Sequence, residues 1–338
     1  MDLTKLFGQF GQMRVGVIGD MMLDTYLWGH VERISPEAPV PVVALERREY
    51  RIGGAGNVAL NLASLGAQVT ALSVIGKDND GWLLEELLQK SGIDTSRQLK
   101  SESRITTNKA RVIGRNQQML RLDSETTRDL SLAEEDGLLD ALRNFLDSQR
   151  PQVIVFEDYN KGVLTGRVIR EAIALCRRHD VITAVDPKRK NFFSYEHVDI
   201  FKPNLKEVRE GLHLLLEEVN PGALQQIHEQ LKERIRHKIS FITLSEKGVF
   251  YQDGTEAGII PSHLRNIADV SGAGDTVIAV ASLVYATTRN VALMAQIANI
   301  AGGLVCEEVG TVAISKHRLM EECERLLLTG RSRSGEVD

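Results

Sequence analysis

The sequence predicts an α/β fold in which helices flank a mostly parallel central sheet and a small β-sheet forms a lid. Short runs rich in β-branched residues alternate with longer amphipathic runs, a pattern typical of a parallel sheet covered by helices. Two segments, 25–52 and 106–123, interrupt this alternation and are predicted to be inserted in it as the lid. The 338 residues allow one large domain or two smaller ones, and the lack of a flexible linker favours a single domain over 1–338.

The elements of the main body follow from hydrophobic periodicity, taken in chain order. Strands are predicted at 14–18, 69–74, 153–156, 181–185, 200–202 and 241–244. Helices are predicted at 56–65, 80–91, 132–147, 165–179, 205–217, 221–237, 276–285, 291–308 and 316–328, and residues 331–338 are expected to be a frayed tail.

The two inserted segments contain signals of extended structure. Pro36, Pro39 and Pro41 predict that 25–52 is a loop followed by an edge strand. The segment 106–123 has turn residues near Gly114 and is predicted to be a β-hairpin. Together they are expected to form a small sheet over a binding site. A pair of ordinary surface hairpins is the alternative.

Composition limits the classes of function. The chain is 43% hydrophobic and 26% charged, as is usual for a globular protein, and its net charge of −5 argues against general nucleic-acid affinity. No run of about 18 apolar residues predicts a membrane span, and no signal-peptide pattern is present. The three cysteines form no C-x-x-C pair, so we expect reduced thiols and a cytoplasmic location. The histidines lack metal-site spacing, which argues against zinc.

The segment 269–276, Asp-Val-Ser-Gly-Ala-Gly-Asp-Thr, combines features that phosphoryl transfer needs. Gly272, Ala273 and Gly274 let backbone N–H groups face an anion at the start of an apolar helix. Asp275 stands beside that site, where it could deprotonate a hydroxyl while the N–H groups hold the transferring phosphoryl group. The alternative is a helix cap, which contributes about 1 kcal/mol to stability.

A second glycine cluster, Gly53-Gly-Ala-Gly-Asn57, allows two interpretations. It satisfies the G-x-G-x-x-A pattern, and Asp78 follows at a suitable distance, so a dinucleotide-dependent oxidoreductase is one alternative. The cluster follows a charged segment, 46–51, and not the first predicted core strand, which argues against that alternative. The other interpretation is close approach of the backbone to a polyol, with hydrogen bonds from Asn57. Helix capping by Asn57 also remains open.

Polar residues follow several predicted strands, where open α/β sheets bind ligands. Asp20 and Asp24 come after the first strand and are placed either to bond sugar hydroxyls or to cap the following turn. No Walker A motif is present. A nucleotide would instead meet the loops 203–207 and 243–248, which follow later strands.

Over residues 14 to about 328 the chain resembles the ribokinase-like, or phosphofructokinase B, family of carbohydrate kinases. Its two signatures match: Gly53, Gly54 and Asn57 fit a Gly-Gly-x-x-Asn region, and 269–275 fits Asp-x-x-Gly-Ala-Gly-Asp. The resemblance implies a ribokinase-like sandwich with ATP as the phosphoryl donor. It also implies that Asp275 is the catalytic base and that Gly272, Ala273 and Gly274 form the anion hole.

The same resemblance implies a nucleotide side and a mode of assembly. The Asn-x-x-Glu motif would organise Mg²⁺ and phosphates, with Glu207 acting on the metal indirectly, and lids would pair between subunits in a homodimer. Whether a monovalent cation such as K⁺ takes part is left open. The implied nucleotide-binding residues are Asn204, Leu205, Lys206, Glu207, Ser245, Lys247, Gly248 and Asn299.

Four segments, 19–26, 33–43, 115–123 and 158–162, are similar to a narrower group in this family, the heptose-phosphate kinases of ADP-heptose biosynthesis. That similarity implies phosphorylation of D-glycero-β-D-manno-heptose 7-phosphate at its anomeric hydroxyl. Some relatives also carry an adenylyltransferase domain, but we expect only the phosphorylation step from this sequence. Other sugars or sugar phosphates are the alternative substrates.

Basic residues are predicted to hold the substrate's phosphate. Lys109 and Arg111 share one face of the predicted hairpin, as do Gln117, Arg121 and Asp123 on the returning strand. A solvated edge strand is the alternative. Lys161 and Lys188 each follow a strand and are candidates for neutralising phosphate charge. The full predicted substrate-binding set is Asp20, Asp24, Gly53, Gly54, Asn57, Lys109, Arg121, Asp158 and Lys161.

Overall fold

A computed structural model describes residues 2–114, 117–214, 219–263 and 265–328. It contains strands and helices whose bounds we give in chain order. The strands are β1 Arg14–Gly19, β2 Met21–Ile34, β3 Pro41–Gly54, β4 Gln68–Leu72, β5 Val74–Gly76, β6 Leu99–Ser101, β7 Thr107–Gly114, β8 Gln117–Ser124, β9 Val153–Glu157, β10 Ile182–Asp186, β11 Ile200–Phe201, β12 Ile239–Thr243, β13 Val249–Gln252 and β14 Ala257–Ile260. The α-helices are α1 Leu3–Gln9, α2 Ala55–Ser64, α3 Asn79–Lys90, α4 Leu132–Gln149, α5 Gly166–Arg178, α6 Leu205–Leu212, α7 Pro221–Ile235, α8 Ala273–Thr288, α9 Val291–Val305 and α10 Lys316–Cys323.

The main sheet has eight strands in the order β14-β13-β12-β11-β10-β9-β1-β4. Strands β4, β1, β9, β10, β11 and β12 are parallel, whereas β13 and β14 are antiparallel additions at one edge. The prediction of a mostly parallel sheet flanked by helices is confirmed. Since all six strands run the same way, their carboxyl ends meet at one edge, where side chains from distant parts of the sequence come together.

The two faces of this sheet carry separate hydrophobic cores. Along β9, Val153 and Val155 join one core, which includes α2, α8 and α9, while Ile154 and Phe156 join the other, which includes α4, α5 and α7. Both faces of the strand are therefore buried, which explains why the parallel strands are continuous apolar runs in the sequence. Helix α8 is buried on nearly every side and packs against β9 and β10.

The predicted lid is a four-stranded sheet in the order β3-β2-β7-β8. The hairpin of β7 and β8 is confirmed, although its turn residues Arg115 and Asn116 lie outside the described residues. The prediction of a loop before the edge strand was wrong, because residues 25–34 belong to β2, a 14-residue strand. Strand β2 pairs with β3 and also in parallel with β7, so the two segments form one sheet and not two separate hairpins.

Other differences have local causes. Helix α6 ends at Leu212, earlier than predicted, because His213 adopts a left-handed conformation with φ 54°; residues 215–218 of the predicted helix lie outside the described residues. Helix α1 was not predicted, yet Asp2 caps it and Leu3 is buried in the core. Residues 331–338, predicted to be a frayed tail, also lie outside the described residues. Within the described part of the chain, no helix has the length and apolar character needed to cross a membrane.

Candidate active site

The turn before α8 is held in a conformation that requires glycine. Gly272 has φ 78° and ψ 0°, in the left-handed region that strains a residue with a side chain. A Cβ atom at Gly272 would also come within 2.7 Å of the Asn57 Nδ2 atom. The sequence Gly-Ala-Gly therefore allows α2 to pack closely against this helix start.

The same turn presents unpaired backbone donors. The first bond of the helix runs from the Thr276 N–H to the Gly272 carbonyl at 3.0 Å, and the Ala273 N–H bonds to the Val270 carbonyl at 3.3 Å. Among the described residues, no partner exists for the N–H groups of Gly272, Gly274 and Asp275. These donors lie at the positive end of the helix dipole and suit an anion. The N–H groups of Gly272 and Gly274 belong to the predicted anion hole, and the N–H group of Asp275 is an addition to it.

Asp275 is a buried carboxylate with two defined hydrogen bonds. Its side chain is in the first turn of α8, and the residue is only 4% exposed. The Asn57 side-chain amide donates to Oδ2 at 2.7 Å, and the Tyr159 hydroxyl donates to Oδ1 at 2.8 Å. Burial raises the pKa of Asp275 to about 6, although these two hydrogen bonds oppose that rise. A carboxylate with such a pKa is ionised at neutral pH and is suited to act as a general base.

The structure gives Asn57 a role that differs from the predicted one. Its side-chain amide donates to Asp275, and its backbone carbonyl oxygen accepts from Asn61 Nδ2 at 2.8 Å. Asn61 in turn accepts from the Thr276 hydroxyl and from the Ile314 N–H, each at 3.0 Å. These buried bonds fix α2 against α8. Asn57 therefore orients the carboxylate directly, and contact of Asn57 with a sugar stays a prediction.

Tyr159 was missed by the sequence reasoning. It lies two residues after the end of β9. Lys109 Nζ and Lys188 Nζ lie 5.8 Å and 5.4 Å from the centre of its ring. Burial lowers the pKa of Lys109, and the nearby Lys161 ammonium adds to that effect. Through Tyr159, the structure brings the lid residue Lys109 close to Asp275.

The loop 158–163 is positioned by two buried carboxylates that were predicted to bind substrate. Asp20 accepts backbone N–H groups of residues 159, 161 and 163 at 2.9 to 3.1 Å. Asp158 accepts the Tyr195 hydroxyl and the Asn160 N–H, both at 2.8 Å. Each residue is 1% exposed, and burial raises both pKa values, that of Asp158 to about 6. In this structure both carboxylates shape the loop, and their contact with a substrate stays a prediction.

The glycine cluster at the end of β3 is a close crossing of backbone. A Cβ atom at Gly53 would overlap the Asp24 carboxylate, and one at Gly54 would lie 2.7 Å from a methyl group of Met22. Gly54 also has φ 57°. Both glycines are therefore needed to join the lid to α2.

The arrangement contradicts the dinucleotide interpretation. Gly53 and Gly54 end a lid strand and not the first core strand, as that fingerprint requires. Asp78 caps α3 by accepting from the Gly81 N–H at 2.7 Å, and it also accepts the Thr106 N–H at 2.8 Å. Its oxygens are thus used locally and are not free for a ribose.

Acidic and basic side chains meet beside Asp275. Lys202, which is 2% exposed, lies 2.8 Å from one oxygen of Asp186. Lys188 lies 3.0 Å from the other oxygen and 2.9 Å from Glu207 Oε1. Burial alone would raise the pKa of Asp186, but the two lysines hold it below its ordinary value. Burial and the Asp186 charge raise the pKa of Glu207.

Glu157, at the end of β9, is the unusual member of this group. It is fully buried, and neither carboxyl oxygen has a hydrogen-bond partner among the described residues. Burial first, and then the carboxylates of Asp186 and Asp275, raise its pKa well above the ordinary value. Such a group must hold a proton or face a cation, because an isolated buried carboxylate is costly.

The cluster fits a divalent cation. Oxygen atoms of Glu157, Asp186 and Asp275 all lie within 4.8 Å of one another, and carboxylate oxygens suit Mg²⁺. With Glu207, four carboxylates face two lysines, so positive charge is in deficit. The orphaned oxygens of Glu157 are consistent with this deficit. Glu207 lies outside this group of three, and its oxygens bond Lys188 and the Asn204 N–H. Its predicted indirect action on Mg²⁺ stays a prediction.

The predicted Asn-x-x-Glu motif is a capping box. Asn204 Oδ1 accepts the Glu207 N–H, and Glu207 Oε2 accepts the Asn204 N–H, each at 2.8 Å. Leu205 begins α6, and the Lys206 side chain is 84% exposed. The motif therefore holds the helix start beside β11, and its other Glu207 oxygen connects it through Lys188 to Asp186.

The remaining predicted nucleotide residues converge on one segment. Ser245 and Lys247 lie in an exposed 3₁₀ turn after β12, followed by Gly248 with φ 95°. A Cβ atom at Gly248 would lie 2.7 Å from backbone atoms of residues 261 and 262. Asn299 on α9 donates to the Pro261 carbonyl at 2.9 Å. Gly248 and Asn299 thus lie on either side of 260–262.

The cations predicted to hold the substrate's phosphate are placed unequally. Lys161 Nζ bonds Glu125 at 2.7 Å and is mostly buried. Arg111 donates to Asp24 at 2.6 Å, so the carboxylate of Asp24, which was predicted to bind substrate, is paired with an arginine of the lid. Both hydrogen bonds of the half-exposed Arg121 go to Asp123 on its own strand. Lys109 lies near both Tyr159 and Lys161. Binding of the substrate's phosphate by Arg121 stays a prediction.

Comparison with known proteins identifies the family. A family model described as pfkB family carbohydrate kinase matches residues 12–318. The chain belongs to that family. Among curated relatives, bifunctional protein HldE of Geobacter sulfurreducens is 39% identical over 315 residues, which cover 93% of this chain and 64% of the relative. The protein of the same name from Magnetococcus marinus is 41% identical over 314 residues, covering 92% and 64%. The chain therefore spans somewhat less than two thirds of these relatives.

Solved structures of the family share the fold. Phosphofructokinase-2 from Escherichia coli, in complex with potassium, has a TM-score of 0.77 at 17% identity, covering 93% of this chain and 99% of that one. Ribokinase from Arabidopsis thaliana, complexed with ribose and ATP, has a TM-score of 0.70 at 15% identity, covering 91% and 99%. The ribokinase-like fold expected from the sequence is confirmed.

Proposed function

We propose that the protein transfers the γ-phosphoryl group of ATP to the anomeric hydroxyl of D-glycero-β-D-manno-heptose 7-phosphate, giving the 1,7-bisphosphate and ADP. Membership of a carbohydrate kinase family supports the reaction class. The observation that carries the proposal is the Asp275 carboxylate, held by Asn57 and Tyr159 at the amino end of a buried helix. This arrangement puts a base beside a set of anion donors.

Asp275 takes the proton of the attacking hydroxyl. The sugar oxygen forms a bond to the γ-phosphorus, the bond from that phosphorus to the bridging oxygen breaks, and ADP leaves with the electron pair. Asn57 and Tyr159 both donate to Asp275, so they orient the carboxylate and keep it ionised. Positioning contributes most of the acceleration, since phosphoryl transfer needs little covalent work from the protein.

The free N–H groups of Gly272, Gly274 and Asp275 stabilise charge on the transferring group. Lys188 lies beside Tyr159 and close to both Asp186 and Glu207, where it balances phosphate charge. Mg²⁺, held by Asp186 and Glu157, would neutralise the triphosphate when bound. A monovalent cation such as K⁺ also belongs to the proposal, since the Escherichia coli relative was solved with potassium.

A phosphorylated sugar fits the basic lid. Lys109 lies near Tyr159 and Lys161, and its pKa is lowered, so an incoming phosphate would relieve the repulsion between the two ammonium groups. The heptose itself is supported by the four segments that resemble heptose-phosphate kinases and by the relatives named HldE. Phosphates of other sugars are the competing substrates.

We also propose a homodimer formed through the lid. Large apolar side chains are exposed on three of its four strands, β2, β3 and β8, which is uncommon on a surface that faces only water. The exposed residues are Ile34, Leu45, Tyr50, Met119, Leu120 and Leu122. Sedimentation as a monomer at working concentration would contradict this assembly.

The cytoplasm is the proposed compartment, supported by three free cysteines.

A coupled ADP-release assay tests the substrate. Heptose 7-phosphate, fructose phosphates, ribose and fructose are compared at equal concentrations, with ATP and Mg²⁺. The proposal expects the highest kcat/KM for heptose 7-phosphate. Preference for an unphosphorylated sugar would contradict the heptose assignment while leaving the kinase class intact.

A further inference from the structure

Arg51 connects the lid to a distant segment of the main body. Its Nη1 atom donates to the carbonyl of Val309 at 3.1 Å and to that of Thr311 at 3.2 Å, residues more than 250 positions later in the chain. On the lid side, its Nε atom bonds Glu49 at 2.6 Å, and its guanidinium lies 4.8 Å from the centre of the Tyr26 ring. The guanidinium is therefore held by β2 and β3 while it reaches across to 309–311.

The connection continues from that segment to the turn before α8. Gly310, between the two carbonyls, donates its N–H to Asp269 Oδ2 at 2.9 Å. The other oxygen, Oδ1, accepts the Ser271 N–H at 3.0 Å and the Ser271 hydroxyl at 2.8 Å. Ser271 precedes Gly272, so hydrogen bonds and two short stretches of backbone, 309–311 and 271–272, together connect the lid to the anion donors. Gly310 is closely fitted, since a Cβ atom there would lie 2.6 Å from Arg51 Nη1.

We propose that Arg51 is a positioning residue that couples the lid to the anion hole. While the lid is in place, Arg51 fixes 309–311, and through Gly310 and Asp269 it fixes the turn at Ser271 and Gly272. The inference rests on the proposed kinase function for its catalytic consequence. The coupling itself is a statement about contacts and holds for any ligand at that turn.

A neighbouring arginine separates this role from a general contribution to lid stability. Arg47 lies on the same strand, four residues earlier, and has the same kinds of lid contact: it is 3.5 Å from Glu49 and 5.1 Å from the centre of the Trp28 ring. Within the described residues, no hydrogen bond, ion pair or ring contact joins it to a residue outside the lid. Arg47→Ala is therefore the matched control for Arg51→Ala.

The test combines hydrogen exchange with kinetics. Amide exchange is measured in the peptides that contain 268–272 and 309–311, and kcat and KM are measured by ADP release. We expect Arg51→Ala to speed exchange in both peptides by about tenfold or more, as local opening becomes easier. We expect kcat to fall by about 10-fold to 100-fold through misplacement of the anion donors, with KM for the sugar little changed. Arg47→Ala should change neither quantity.

Arg51→Lys is the second variant, for use if the alanine variant does not fold. It keeps the charge but loses the planar group that stacks on Tyr26, so it should give an intermediate effect in both measurements. Unchanged exchange at 268–272 in the Arg51 variants, or an equal change in Arg47→Ala, would overturn the coupling. If the unmodified protein phosphorylates no sugar, the kinase proposal fails, and the exchange comparison still decides whether the coupling exists.

Discussion

Replacing Tyr159 with phenylalanine removes one of the two hydrogen bonds that Asp275 accepts and leaves the ring in place. A hydrogen bond to a charged group contributes about 1.5 to 3 kcal/mol, and one pKa unit corresponds to about 1.4 kcal/mol. The loss therefore shifts the pKa by about one to two units. Since the hydroxyl donates to the ionised form, its removal raises the pKa of Asp275 above its value of about 6.

The pH dependence of kcat/KM reports the pKa of the base in the free enzyme. Asp275 is active when ionised, so the unmodified enzyme should lose kcat/KM as the pH falls through about 6. In Tyr159→Phe the acidic limb should move to higher pH by about one to two units. Tyr195→Phe is the control, because that buried hydroxyl donates to Asp158 at 2.8 Å and not to the proposed base. An acidic limb at the same pH in Tyr159→Phe and the unmodified enzyme would refute the assignment of Asp275.

Three further predictions concern stability and the helix turn. Lys202→Met removes one partner of the buried Asp186 carboxylate and should lower the free energy of unfolding, measured in urea, by about 3 to 5 kcal/mol. Lys238→Met is the control: that side chain is 69% exposed, and its loss should lower the free energy of unfolding by under about 1 kcal/mol. Burial lowers the pKa of His237 from 6.5 to about 3. The contribution of His237 to the free energy of unfolding is thus complete above pH 6.5 and should be about 2 kcal/mol smaller at pH 5 than at pH 7. The difference in unfolding free energy between the unmodified protein and His237→Gln should shift by that amount between the two pH values. Gly272→Ala should lower kcat more than tenfold, since the added Cβ atom would clash with Asn57 on α2. Gly92→Ala is the control: Gly92 has φ 76° and open space around it, so this variant should lose about 1 to 2 kcal/mol of stability and keep its kcat. Equal kcat in the two glycine variants would contradict this account of the turn.

Elements with a strong local signal were predicted well. The strand 153–156 is a continuous apolar run because both of its faces are covered, and it lies within β9. Strand β2 was wrongly predicted to be a loop from residue 25 onwards. Its residues 27 to 34 become increasingly exposed, so no core face gives them a clear alternation. Residues 27–29 also pair in parallel with β7, about 85 positions later in the chain, a long-range contact that a single sequence does not display.

The residues of the candidate site also fall into those that a local sequence pattern marks and those that only the fold brings together. Asp275 could be identified because glycine, alanine and an apolar helix surround it in sequence. Tyr159 and Asn57 reach it from 116 and 218 residues away, and no local pattern marks those contacts. Asp20 has the residue type of a ligand, but its oxygens accept three backbone N–H groups, a role that only the folded loop reveals.

The central claim is that Asp275 is the base of a heptose-phosphate kinase. Its most direct test is ADP release from ATP and D-glycero-β-D-manno-heptose 7-phosphate by the unmodified protein and by Asp275→Asn, which keeps the shape of the side chain. Thermal melting and ATP binding serve to show that the variant is folded. We predict turnover by the unmodified protein and a loss of at least about 100-fold in kcat for the variant. Turnover by Asp275→Asn within a few-fold of the unmodified protein would contradict the account.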